Sequence, residues 1–168
     1  SVVCSSDLQG GYSEAYYQDV KVGNYPVANF NSENACANDF TNFINLSSIE
    51  NEDLEDYLWE FGDGGSNNYQ ANPSYWYTIS GTNTVRLTAI SNLGCSHDTV
   101  MPIVIQSIPE FNFAFSGETT FTEGESLVVT AVGDFDEILW RDGQTTNSIT
   151  ITQGGNYWAE IRNQGCPN

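Results

Sequence analysis

Basic side chains are nearly missing from this chain. Four Lys and Arg stand against 22 Asp and Glu, a formal net charge of -18 over 168 residues. Nucleic acid and anionic lipid surfaces need a positive footprint, so no nucleic-acid partner is expected. Histidine and methionine occur once each, as His97 and Met101. One His beside four Cys is not the composition of a zinc site. No apolar run is long enough to cross a membrane, so no membrane insertion is expected. A Gly-rich phosphate loop, a Gly-x-Ser-x-Gly elbow and a metal-binding His pair are all lacking. The chain opens on Ser1 without a signal-peptide pattern, which points to a processed product or an excised fragment.

What the chain does have is aromatic residues at strand spacing. In Tyr57-Leu58-Trp59-Glu60-Phe61-Gly62-Asp63-Gly64, the aromatics alternate onto one face and run into an Asp-Gly turn. A second copy follows at Leu139-Trp140-Arg141-Asp142-Gly143. Two further marks repeat in the same order. Pro-x-x-Asn-Phe occurs at 26–30 and 109–113. A Gly-led strand closes on Gly-Cys at 94–95 and again at 165–166. Self-similarity at this period means tandem domains.

The marks divide the chain into a tail (1–25), a first domain (26–107) and a shorter second domain (108–168). Tyr16, Gln18, Val20 and Val22 alternate with Tyr17, Asp19 and Lys21, so the tail reads as the C-terminal hairpin of a preceding, truncated domain. Val85, Leu87 and Ala89 alternate with Thr84, Arg86 and Thr88, Leu127, Val129 and Ala131 with Val128 and Thr130, and Ile149 and Ile151 with Thr150 and Thr152. Gly, Asn and Ser cluster between these runs. The expected fold is all-β: tandem immunoglobulin-like β-sandwiches joined by short linkers.

Phe61-Gly62-Asp63-Gly64, Asn72-Pro73, Gly81-Thr82 and Gly94-Cys95-x-x-Asp98-Thr99 together resemble a PKD (polycystic kidney disease) domain over about residues 27–106. Residues 109–168 resemble the shorter immunoglobulin-like repeats that accompany such domains in giant surface adhesins of gliding, polysaccharide-degrading bacteria. Two positions depart from the pattern. Asn83 stands where a tyrosine is expected, whereas Tyr157 keeps that place in the second domain. Thr122 stands where such repeats often carry Cys. In sandwiches of this kind the positions of Cys36 and Cys95 are close, so the resemblance implies a Cys36–Cys95 disulfide. Closing that loop would stabilise by about 4 kcal/mol on the chain-entropy model, and it implies an oxidising, extracellular location. The mate of Cys4 is then expected in a missing preceding segment and that of Cys166 to be absent or beyond Asn168, since a Cys4–Cys166 bridge would fold the rod back on itself.

The candidate sites each carry two readings. The run Glu50-Asn51-Glu52-Asp53-Leu54-Glu55-Asp56 puts the carboxylates of Glu50, Glu52, Asp53, Glu55 and Asp56 in one loop, as calcium needs. It equally suits a solvated loop that guards a sheet edge. No other cofactor is expected. Asp63 reads as a turn residue, and Trp59 and Trp140 as core anchors. Alternation turns Trp76 and Trp158 outward, where each can stack on a sugar or partner, or pack on a neighbouring strand. Asn45-Leu46-Ser47 is an N-glycosylation pattern, and Asp98-Thr99-Val100 resembles a short O-glycosylation motif placing sugar on Thr99.

No enzymatic activity is expected. Paired-carboxylate hydrolysis needs a cleft that small sandwiches with short loops rarely build. The functional expectation is an extracellular spacer and display segment of a secreted or cell-surface adhesin. Its partners would be neighbouring domains of the same polypeptide, with polysaccharide or another surface protein as further partners. The alternative is an accessory glycan- or protein-binding region of a secreted polysaccharide hydrolase or protease.

Overall fold

The computed structural model describes residues 2–4 and 21–167, and every regular element among them is a strand. In chain order these are β1 (Val2–Cys4), β2 (Lys21–Gly23), β3 (Phe30–Glu33), β4 (Asp39–Asn45), β5 (Leu54–Glu60), β6 (Ser66–Asn68), β7 (Ser74–Tyr77), β8 (Gly81–Ser91), β9 (Ser96–Ile105), β10 (Glu110–Phe115), β11 (Leu127–Asp134), β12 (Glu137–Trp140), β13 (Ser148–Ile151), β14 (Ala159–Asn163) and β15 (Cys166–Pro167).

In the first sandwich, a three-stranded sheet of order β3-β4-β7 covers a four-stranded sheet of order β6-β5-β8-β9. Period-two alternation builds its core. Along β8, Val85, Leu87 and Ala89 turn inward while Thr84, Arg86 and Thr88 turn away. Val85 and Leu87 meet Trp59 and Phe61 from their own side, and Phe30, Phe43 and Tyr77 from the facing sheet. Trp59 is fully buried. Its ring lies 5.1 Å from that of Phe30 and 5.3 Å from that of Phe43. Removing such side chains from water contributes about 1.5–3 kcal/mol each.

The second sandwich repeats the plan with fewer strands, β10-β11-β13 facing β12-β14-β15. Leu127, Val129 and Ala131 from β11 and Ile149 and Ile151 from β13 pack on Ile138, Trp140 and Ile161. The two Trp strands behave alike. Trp59 Nε1 donates to the Gln70 carbonyl at 3.0 Å, and Trp140 Nε1 donates to the Thr146 carbonyl at 2.8 Å. Each buried indole therefore keeps its hydrogen bond.

β1 and β2 pair in parallel, with Val2 opposite Lys21 and Cys4 opposite Gly23. A hairpin expected over 1–25 would place its strands antiparallel, so these ends of the tail are not paired as one. Tyr16, Gln18 and Val20 lie outside the described residues.

Candidate functional site

The cysteines pair differently from the expected Cys36–Cys95 bridge. Cys4 bonds to Cys95 and Cys36 bonds to Cys166, with Cα separations of 5.6 and 5.7 Å. The reason is the length of β9. Cys95 directly precedes its first residue, whereas Cys36 bridges Gln106 just beyond its last. The ten residues of β9 span about 33 Å at the usual strand rise. A disulfide tolerates Cα atoms only up to about 7 Å apart. Cys36 and Cys95 therefore mark opposite ends of the first sandwich, and each reaches to a segment outside it.

Both ends are tied by further contacts. Beside Cys95, the Asn24 backbone N–H donates to Glu52 Oε1 at 2.6 Å, and Asn24 Nδ2 donates to the Glu50 carbonyl at 2.9 Å. Asn92 N donates to the Asp53 carbonyl at 3.0 Å. The Ala28 N–H donates to Nδ1 of His97 at 3.1 Å. At the other end, Ala37 N donates to the Gln106 carbonyl at 2.8 Å, and Asn163 Nδ2 donates to Ser107 Oγ at 3.2 Å.

These bonds engage part of the acidic run. The Glu52 carboxylate and the Glu50 main-chain carbonyl both hold Asn24, while Glu55 and Asp56 lie exposed on β5 beyond Asp53. Among the described residues, no group of three or more His, Cys, Asp or Glu gathers in a way that could hold a metal ion.

Asp63 serves the turn. Its Oδ1 accepts the Gly65 N–H at 3.0 Å, and Asp142 Oδ1 in the second sandwich accepts the Gln144 N–H at 3.1 Å. Both are side-chain turns in which Asp bonds the backbone two residues on. Gly62 takes φ 88° with its missing side chain facing the Thr84 backbone, so only Gly fits there. In Asp142, hydrogen bonds from the Gln144 side chain and backbone hold the carboxyl below its ordinary range.

Trp76 and Trp158 both face outward, 43 % and 51 % exposed. They stand in different company. Trp76 opposes Phe40 across β4 and β7, edge to face with ring centroids 5.0 Å apart. Only strand register brings Phe40 there, so no local sequence signal marks it. Trp158 borders a recess of about 270 Å³ whose walls include Arg141, Asp142, Asn156 and Tyr157. Arg141 Nη1 donates to the Asn156 carbonyl at 2.9 Å, which fixes the guanidinium along that wall. Tyr157 Oη donates to the Gln153 carbonyl at 3.0 Å and so anchors the loop. A second recess of about 270 Å³, sharing Trp140 and Tyr157 with the first, is lined also by Phe113, Phe115 and Phe121.

Of the modification candidates, Asn45 uses its side-chain oxygen to accept the Ser47 N–H at 2.9 Å. Thr99 sits mid-strand on β9, opposite Leu87.

Residues 24–104 match the family model described as PKD domain. Among solved structures, the PKD1 domain of Vibrio anguillarum Epp is 30% identical and aligns with 49% of this chain and 95% of its own, at a TM-score of 0.46. The PKD1 domain of the Vibrio cholerae metalloprotease PrtV is also 30% identical, over 48% of this chain and 96% of its own, at a TM-score of 0.45. A carbohydrate-binding module of the β-sandwich superfamily is 17% identical over 84% of this chain and 85% of its own, with a TM-score of 0.48. No curated protein matches the chain.

Proposed function

We propose, on the footing that residues 24–104 belong to the PKD domain family, that this chain is a non-catalytic spacer and display segment of a large secreted or cell-surface bacterial adhesin. Sandwich units over 26–107 and 108–168 follow one another, and neighbouring domains of the same polypeptide are the main partners. The observation that carries this reading is the position of the disulfides. Both lie at the ends of the first sandwich and join it to adjoining segments. Bonds in that position fix how consecutive units meet, which is what a spacer needs. Two disulfides also suit an oxidising, extracellular setting.

A second reading has its own observation. The recess beside Trp158 combines an exposed indole face with Arg141, Asp142 and Asn156. An aromatic face beside planar polar groups suits a neutral sugar ring, as an accessory region of a secreted polysaccharide hydrolase would need. A glycan array probed with the wild type, Trp76→Ala and Trp158→Ala separates the two. The spacer reading expects no glycan retained. Retention that disappears in Trp158→Ala would replace it with the accessory reading.

A further inference from the structure

The two disulfides interleave along the chain: Cys4 comes before Cys36, Cys36 before Cys95, and Cys95 before Cys166. We propose that the Cys36–Cys166 bond of this pair gives the chain a short covalent route that carries tension past the second sandwich, whose strands can then separate without lengthening the tether. The inference deepens the spacer reading and takes its biological sense from it. Its physical content rests on connectivity alone.

Tension between Cys4 and Cys166 has three routes that use a disulfide. One follows the backbone from Cys4 to Cys36 (36 minus 4, or 32 residues) and crosses to Cys166. Another crosses from Cys4 to Cys95 and follows the backbone to Cys166 (166 minus 95, or 71 residues). The third crosses both bonds and uses the backbone between Cys36 and Cys95 (95 minus 36, or 59 residues). On extension the shortest route tightens first. At about 3.5 Å per residue it reaches roughly 110 Å. Without disulfides, the same two points are joined only by backbone (166 minus 4, or 162 residues), which extends to roughly 570 Å. Every strand of the second sandwich from β10 to β14 lies off the short route.

In the folded chain the first sandwich stands between the bonds, with Cys95 at one end of β9 and Cys36 beside the other. It is therefore the member under tension, and it has the larger aromatic core. The second sandwich is shunted, and its core Trp140 lines both solvent-open recesses. A unit spared from tension tolerates such openings and remains free to present its outward aromatics.

The test is single-molecule pulling on the whole chain, held by handles fused at its two ends. The oxidised wild type should stop lengthening at a Cys4-to-Cys166 span of about 110 Å. Cys4→Ser/Cys95→Ser should leave that ceiling unchanged, because the short route does not use this bond. Cys36→Ser/Cys166→Ser should raise it to about 250 Å, the reach of 71 residues. Reduction of the wild type needs no substitution and should raise it about five-fold, to roughly 570 Å. An oxidised wild type that extends as far as the reduced protein overturns the proposal, and so does a Cys36→Ser/Cys166→Ser ceiling equal to that of the wild type. A chain that passes this test yet retains glycan through Trp158 would retire the spacer reading and leave the covalent route standing.

Discussion

Tyr75 Oη lies 3.0 Å from each carboxylate oxygen of Asp63, its one proton shared between them. The Tyr75 ring also stacks on Phe61, with centroids 4.0 Å apart. The turn is thus locked from the facing sheet as well as from within. Tyr75→Phe keeps the stack and loses the hydrogen bond, so urea denaturation should show a loss of about 1 kcal/mol. Gly65→Ala should cost more, about 1–3 kcal/mol, because a Cβ there meets the Tyr75 hydroxyl and ring. Wild-type stability in both variants would remove the latch from the account.

The four tryptophans should separate into two classes under the same measurement. Trp59→Ala empties the centre of the first core and should cost about 3–5 kcal/mol. Trp76→Ala loses the cross-strand contact with Phe40 on an outer face, worth about 0.2–1 kcal/mol. Equal losses would contradict the assignment of inner and outer faces.

Alkaline pH should weaken the first sandwich. Burial first, and then the negative charge of Asp63, raises the phenol of Tyr77 well above its ordinary value near 10. Burial and the hydrogen bond to Asp63 raise that of Tyr75 in the same direction. The folded chain keeps these protons at a pH where the unfolded chain releases them. Their stabilisation is therefore complete below about pH 10 and is lost as pH rises beyond it. Melting temperatures from pH 8 to 11 should fall at the alkaline end, and Tyr77→Phe should flatten that fall. A fall of the same steepness in the variant would contradict it.

Calcium should leave the melting temperature unchanged, since Glu52 Oε1 accepts the Asn24 N–H and no metal-holding group of three or more acids forms among the described residues. Calorimetry with added calcium and with chelator checks this. A rise of several degrees on adding calcium would contradict it.

Alternation made the two cores legible in the sequence, because inward and outward residues follow from a period of two. That is why the burial of Trp59 and Trp140 and the outward turn of Trp76 and Trp158 could be read directly. The Asp-Gly turns were legible for the same local reason. Pairings set by register and strand length were not. Nothing near Cys36 in sequence says that it lies one full β9 away from Cys95. The Tyr75–Asp63 latch and the Phe40–Trp76 pair depend on which residues the ladders bring opposite each other. The acidic run reads as one loop because its charges are adjacent in sequence, whereas in the fold Glu52 bonds Asn24 and Glu55 and Asp56 lie on β5.

The central claim is that the disulfides reach across the ends of the first sandwich and do not close within it. Protease digestion without reductant, followed by mass spectrometry of the linked peptides, tests it most directly. Peptides joining Cys4 to Cys95 and Cys36 to Cys166 are the result the account predicts. A peptide joining Cys36 to Cys95 would contradict it.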